Sequence, residues 1–407
     1  MSVVDRFLKY VSFDTESSSQ STTTPSTLKQ LDLAKYLKEE MEKMGLQQVT
    51  LEKSGIVYAT LPSNTNEDSV KIGFIAHMDT SPDMSGKDVK ARIIKDYKGE
   101  TIVLNKDLGI KMSPKDFPSL LRNLHHDLIV TDGTTLLGAD DKAGIAEILE
   151  MVQYFIDHPD IKHGDIKIAF TPDEEVGRGT ENFDVEKFDA NYAYTVDGGE
   201  INYIDYENFN AASCKVMIKG KSIHPGSAKG KMINASLVAM EFHHLLPVFD
   251  NPAYTSGYEG FNHLIDINGQ CEEAIMNYII RNHDRQLLEK QKQDFKNAMN
   301  FLNQKYGYEI IQLEITDSYS NMKEHIEKDM RVIEVAQKAM VNIGLTPRSS
   351  AIRGGTDGAN LTYNGLLCPN LGTGGYNAHG KYEYCSIDLM NKSVALLIEI
   401  VKTSLDK

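Results

Sequence analysis

No apolar run in this chain approaches the roughly 20 residues that a membrane-spanning helix needs, which argues against a membrane partner. Nor does the start, Met-Ser-Val-Val-Asp-Arg, place a basic region before an apolar one, as a secretory leader would. Positive charge is in deficit: 43 Lys and Arg stand against 58 Asp and Glu, a net charge of −15. Phosphate binding leans on clustered Lys and Arg, so nucleic acid is not an expected partner. Cysteine is sparse, and Cys214, Cys271, Cys368 and Cys385 show no zinc-finger spacing. A chain of this size without a leader is expected to be reduced and cytoplasmic. Solenoid-type repeats and long low-complexity tracts are also missing.

What remains is the make-up of a globular enzyme, 41% hydrophobic and 25% charged. At 407 residues the chain exceeds one typical core, so two domains are expected. A Ser- and Thr-rich loop over 17–27 leads into a helix predicted from near Pro25 to about Met44, with a stripe that includes Leu31, Leu37 and Met41. Short β-rich runs at 72–76 (IGFIA), 167–170 (KIAF) and 192–196 (YAYTV) then alternate with helical patterns over 142–155 and 324–343. Such alternation predicts an α/β sheet with helices on both faces. From about Asn208 the pattern changes to strand, helix, strand, helix and strand over 213–219, 234–246, 273–282, 286–306 and 309–317. Chemical motifs lie on both sides of this stretch. It therefore reads as a smaller α+β domain over 208–317, inserted into a catalytic domain made of 1–207 and 318–407.

The first motif, His77-Met-Asp79-Thr80, directly follows IGFIA, and open α/β sheets bind ligands beyond the carboxyl ends of their strands. His77 offers a metal nitrogen, and Asp79 can accept the other ring N–H and fix its tautomer. The second, Gly138-Ala-Asp140-Asp141-Lys-Ala-Gly144, opens a helix. There an acidic residue suits an N-cap, the reading the motif favours by itself, while the alternative makes Asp140 a carboxylate giving one oxygen to each of two metals. The third, Asp173-Glu174-Glu175-Val-Gly177, follows KIAF. Adjacent carboxylates at a buried strand end call for a cation, with one binding it while its neighbour handles a proton. Asp197 follows the next strand, in a sequence that also suits a plain Asp-Gly turn. Far downstream come Arg353-Gly-Gly-Thr-Asp357-Gly and His379-Gly380. Two His and three carboxylates, with a fourth spare, form a ligand set suited to zinc, cobalt or manganese. Arg281 and Arg353 offer forks for a substrate carboxylate, or else for structural ion pairs.

The order of these motifs resembles the M20 family of metallopeptidases over essentially the whole chain, and within it the branch of tripeptide aminopeptidases. Residues 131–138 (TDGTTLLG), Ser222-Ile-His224-Pro-Gly226 and the Arg353 motif fit the same branch. The resemblance implies a zinc-peptidase-like mixed sheet plus an inserted lid domain of the dimerisation type, compatible with a homodimer. It implies two zinc ions per subunit, with cobalt or manganese as substitutes. Asp140 would bridge them, His77 and Asp197 would complete one position, and Glu175 and His379 the other. Asp79 would orient His77, Glu174 would be the general base and His224 would help the oxyanion; the Asp140–Asp141 peptide is often cis in this family, which the sequence does not show. The implied reaction releases the N-terminal residue of short peptides with a free N-terminus. A dipeptidase, carboxypeptidase or amide deacylase of the same family would share these ligands and differ only in its pocket.

Overall fold

The runs IGFIA, KIAF and YAYTV are buried along their full length, as strands covered by helices on both faces must be. The computed structural model describes residues 1–65 and 69–405. It divides into two compact units: Met1–Tyr206 with Glu324–Ser350 and Thr356–Lys407, and Glu207–Lys323 with Ala351–Gly355.

The first unit is built on a seven-stranded mixed sheet in the order Gln47–Leu51, Val57–Leu61, Ile166–Thr171, Ile72–His77, Tyr192–Val196, Asn370–Leu371, Ile204–Asp205. Four neighbouring strands, Ile166–Thr171, Ile72–His77, Tyr192–Val196 and Asn370–Leu371, run parallel. Their carboxyl ends therefore lie along one edge, with His77 paired to Thr171 and Val196 to Leu371. The helix Ala139–Asp157 packs on the sheet, backed by Val3–Tyr10 and Ile387–Thr403. Elsewhere Ile75, Ala169 and Ala193 pack with Phe183, Phe188 and Leu361.

Gly144 shows why that helix can come so close. A Cβ there would lie 1.9 Å from the carbonyl oxygen of Val196, so only glycine fits. A second, antiparallel sheet of Gly375–Tyr376, Tyr384–Ser386, Leu128–Val130 and Arg92–Ile94 was not foreseen. Its strands are two or three residues long, too short to show a period. The predicted helix over 324–343 is two helices, Lys323–Ile326 and Arg331–Asn342, and the one expected from Pro25 begins at Gln30.

The second unit is a four-stranded antiparallel sheet in the order Phe261–Gly269, Glu273–Asn282, Asn210–Lys219, Ile311–Tyr319, with helices Ala235–Leu245 and Arg285–Tyr306. Its β-α-β-β-α-β order is that of the ferredoxin-like motif. Sequence reading missed the edge strand Phe261–Gly269, because an edge strand exposed on most of its residues carries little apolar signal. The unit also exceeds the expected 208–317. Glu207–Asn208 pairs with Ala351–Ile352, and Asn208 makes hydrogen bonds with Asn321 and Met322 that tie both ends of the segment together.

Candidate metal centre

Each motif reaches the same edge of the sheet by a local device. His77 ends its strand, fully buried, and its Nδ1 lies 3.0 Å from the Asp79 carbonyl oxygen. Only the Nε2 side is then left to face a ligand. Both Asp140 and Asp141 have non-helical backbone angles, but it is Asp141 whose Oδ1 accepts the Gly144 N–H at 3.2 Å, in the manner of a cap. Asp140 is thereby free of the capping role that its position also allowed. The Asp140–Asp141 peptide is cis.

Asp173 sits at φ 61° and accepts hydrogen bonds from the Ser26 N–H and the Gln30 side chain, both at 2.7 Å. It pins the start of a single turn carrying Glu174 and Glu175. Asp79 receives the backbone N–H groups of both glutamates, at 3.0 and 3.2 Å. Asp197 leaves Tyr192–Val196 with its N–H held by the Leu371 carbonyl at 3.0 Å. His379, at φ 64° and half exposed, sits on the connection between Gly375–Tyr376 and Tyr384–Ser386.

Among the described residues, two sets of ligand atoms lie within 4.8 Å of one another: His77, Asp140, Asp197 and Asp140, Glu175, His379. Asp140 belongs to both. Its Oδ1 is 2.8 Å from His77 Nε2 and its Oδ2 is 3.3 Å from His379 Nε2. Glu175 Oε2 is 2.8 Å from His379 Nε2, and Asp197 Oδ2 is 3.8 Å from His77 Nε2.

The electrostatics ask for a cation. Burial, and then the charge of Asp140, push Asp197 up to about 8. Burial also raises Glu175, whose buried Oε1 has no hydrogen-bond partner among the described residues. Glu174 is raised by burial and by Asp357, Asp197 and Glu175, although His77 opposes this. Hydrogen bonds to Asp140 and Glu175 push His379 up to about 11. Crowded, partly buried carboxylates, one with a buried oxygen that lacks a partner among the described residues, next to imidazole nitrogens, fit divalent cations of the zinc type. A cavity of about 310 Å³ opens beside them, lined by Asp140, Asp197, Gly199, Tyr376, Asn377 and Glu383 among others.

The three residues offered for substrate binding all belong to the second unit. His224 is exposed and its Nδ1 accepts the Gly226 N–H at 3.2 Å, so Nε2 carries the proton in the neutral ring. Arg281 gives Nη1 to the carbonyls of Ala212 and Ile280. Arg353 gives Nη1 to Gly257 and Glu259 and Nη2 to Thr255, and lies over Phe209 and Phe261. Those bonds tie Arg353 into its own unit instead of leaving its fork open.

Among the buried carboxylates to which sequence reasoning gave no role are Asp173, Asp357 and Glu383. Asp173 stands in a row of acids in the sequence, and Glu383 lies outside every quoted motif. Asp357, inside a quoted motif, accepts the Thr171 hydroxyl at 2.9 Å and is pushed by burial up to about 7. Only their burial marks them.

The same fold occurs in a dinuclear metal-binding peptidase of the M20 family from Bacillus subtilis, with a TM-score of 0.65 at 11% identity over 99% of this chain and 98% of that one. Residues 206–307 match the family model described as a peptidase dimerisation domain. Fold and cluster together fit a metallopeptidase of M20 type. Peptidase T of Alkaliphilus oremlandii (strain OhILAs) is 53% identical over 98% of either chain, and that of Bacillus subtilis (strain 168) 50% identical over the same shares. Aminopeptidase PepT of Bacillus cereus ATCC 10987 superposes with a TM-score of 0.78 at 25% identity, covering 99% of this chain and 98% of its own. The chain belongs to the peptidase T family of M20 metallopeptidases, and is an enzyme that hydrolyses peptide bonds.

Proposed function

We propose that this enzyme is a tripeptide aminopeptidase working with two divalent cations, zinc first and cobalt or manganese as substitutes. His77, Asp140 and Asp197 would hold one, and Asp140, Glu175 and His379 the other. The observation that carries this is the position of Asp140, whose two carboxylate oxygens approach the Nε2 atoms of two different histidines. When bound there, the cations supply Lewis-acid polarisation of the peptide carbonyl and make water a better acid.

The side chains then divide the remaining work. Asp79 keeps His77 oriented and holds the Glu174–Glu175 turn through two backbone N–H groups. Glu174 belongs to neither ligand set, which leaves its carboxylate to take a proton from the attacking water and return it to the leaving amine nitrogen. The raised proton affinity of Glu174 suits that exchange. Substrate contacts by His224 and Arg281 belong to the same reading and rest on sequence alone. So does a cytoplasmic setting, while the match to a dimerisation domain supports a homodimer.

A panel of tripeptides with free and acetylated N-termini tests the assignment. Only the free peptides should be cleaved, with release of the first residue. Equal cleavage of the acetylated series would move the enzyme to the carboxypeptidase or deacylase reading.

A further inference from the structure

Glu383 is fully buried, with 1% of its surface exposed, and has no place in the ligand sets above. Its carboxylate is nonetheless engaged with the metal-site backbone. Oε2 accepts the N–H groups of Leu137 and Gly138 at 2.6 and 2.7 Å, and Oε1 accepts that of Asp140 at 3.0 Å. These three donors lie where the chain enters the helix: Leu137 and Gly138 are buried, Gly138 takes φ +83°, and Asp140, in the first turn, keeps non-helical backbone angles. Backbone N–H groups buried at such a point must find an acceptor.

The place of Glu383 in the chain gives the contact a second consequence. Tyr376 and Tyr384 are paired across two short antiparallel strands and their rings stack at 4.9 Å. The connection between them carries His379 near its middle and Glu383 at its end, with Asn377 Nδ2 donating to the Tyr382 carbonyl at 3.0 Å. One side chain thus joins the backbone of Asp140 to the loop that presents His379, two groups whose side-chain atoms lie 3.3 Å apart.

We propose that Glu383 is a positioning residue for the cation held by Asp140, Glu175 and His379. It locks the 137–140 loop to the His379 loop, so that both donors stand ready before the ion arrives. This rests on the reading of Asp140 as a shared ligand.

The test is Glu383→Gln, with Glu383→Asp and His379→Ala alongside. The amide introduced by Glu383→Gln would turn an N–H₂ toward at least one of the three backbone donors, opposing donor to donor. Stepwise binding of zinc, measured by competition with a chromophoric chelator, and the visible spectrum of the cobalt form are the readouts. Glu383→Gln should weaken the same binding step that His379→Ala abolishes, by about 10- to 100-fold. It should leave the other step within about threefold, a margin we take as unchanged for two sites that share Asp140. Its cobalt spectrum should change, kcat should recover at high metal concentration, and KM should stay the same. Glu383→Asp, which keeps charge and both acceptor oxygens on a shorter stem, should recover part of the affinity. Unchanged stepwise affinities in Glu383→Gln overturn the proposal, and so does a lowered melting temperature with affinity intact. If Glu383→Gln does not fold, Glu383→Asp carries the decision: a weakened step shared with His379→Ala supports the role, and wild-type affinity refutes it. A wild-type enzyme that binds fewer than two cations would instead sink the two-metal reading.

Discussion

Asp79 Oδ1 accepts the backbone N–H of Glu174 at 3.0 Å. One fully buried carboxylate thus stands behind His77, a proposed ligand, and holds the turn that carries the proposed base. Ligand orientation and base orientation therefore share one anchor, which has consequences for which substitutions separate binding from chemistry.

Glu174→Gln leaves the backbone N–H that Asp79 holds and removes only the side chain's ability to take a proton. We expect kcat to fall by at least about 10²- to 10⁴-fold, the usual worth of a general base. Metal content should remain near two ions per chain, as in the wild type under the proposed reading. Turnover assays with metal analysis on the same preparation check this, and wild-type turnover would remove Glu174 as the base.

Asp140 serves both ligand sets, so Asp140→Ala should cost both cations, whereas His379→Ala should cost one. Chelation of the wild-type enzyme should abolish activity, and zinc, cobalt or manganese should restore it. Atomic-absorption analysis after gel filtration distinguishes the outcomes; two ions retained in Asp140→Ala would refute the bridge.

Glu147 lies midway along the helix Ala139–Asp157, with Oε2 accepting the Ser393 hydroxyl at 2.6 Å and Oε1 without a partner among the described residues. Burial raises its proton affinity well above the ordinary value of 4.5, although the Ser393 bond pulls the other way. The folded protein therefore holds this proton in a window where the unfolded chain has released it, and stability is lost as pH rises above about 4.5. Glu147→Gln removes that dependence. It should melt at least roughly 2 °C higher at pH 8, with the advantage shrinking toward pH 4. Thermal denaturation at the two pH values decides it, and a lower melting point for the variant at pH 8 would count against a protonated Glu147.

Gly144→Ala places a methyl group against the Val196 carbonyl, one residue before Asp197. The helix and strand must separate, at an overpacking cost of about 1–3 kcal/mol. Urea unfolding should show the loss, and cation affinity should drop as Asp197 moves away from His77. Wild-type values for both would mean that the contact relaxes without effect.

The buried strands IGFIA, KIAF and YAYTV were legible because a strand covered on both sides must be apolar throughout, and that composition is local. Pairing of acids and imidazoles with those strand ends was legible for the same reason, since the residue after a strand is fixed by chain order. The edge strand Phe261–Gly269 and the short strands around Tyr376 and Tyr384 were not, because exposure or brevity leaves no period to read.

By itself, then, the sequence determined which side chains could bind metal and which strand ends would carry them. Motif order already pointed to Asp140 rather than Asp141, and only the tertiary structure shows how the two differ: Asp141 accepts the Gly144 N–H, while Asp140 lies beside two histidines. Tertiary structure alone drew Arg353 into the second unit and set Glu383 against the loop of Asp140. Those outcomes depend on contacts between residues tens to hundreds of positions apart, and on burial, which gives an ordinary carboxylate its hydrogen-bond partners and its charge. Neither quantity is a property of neighbours along the chain.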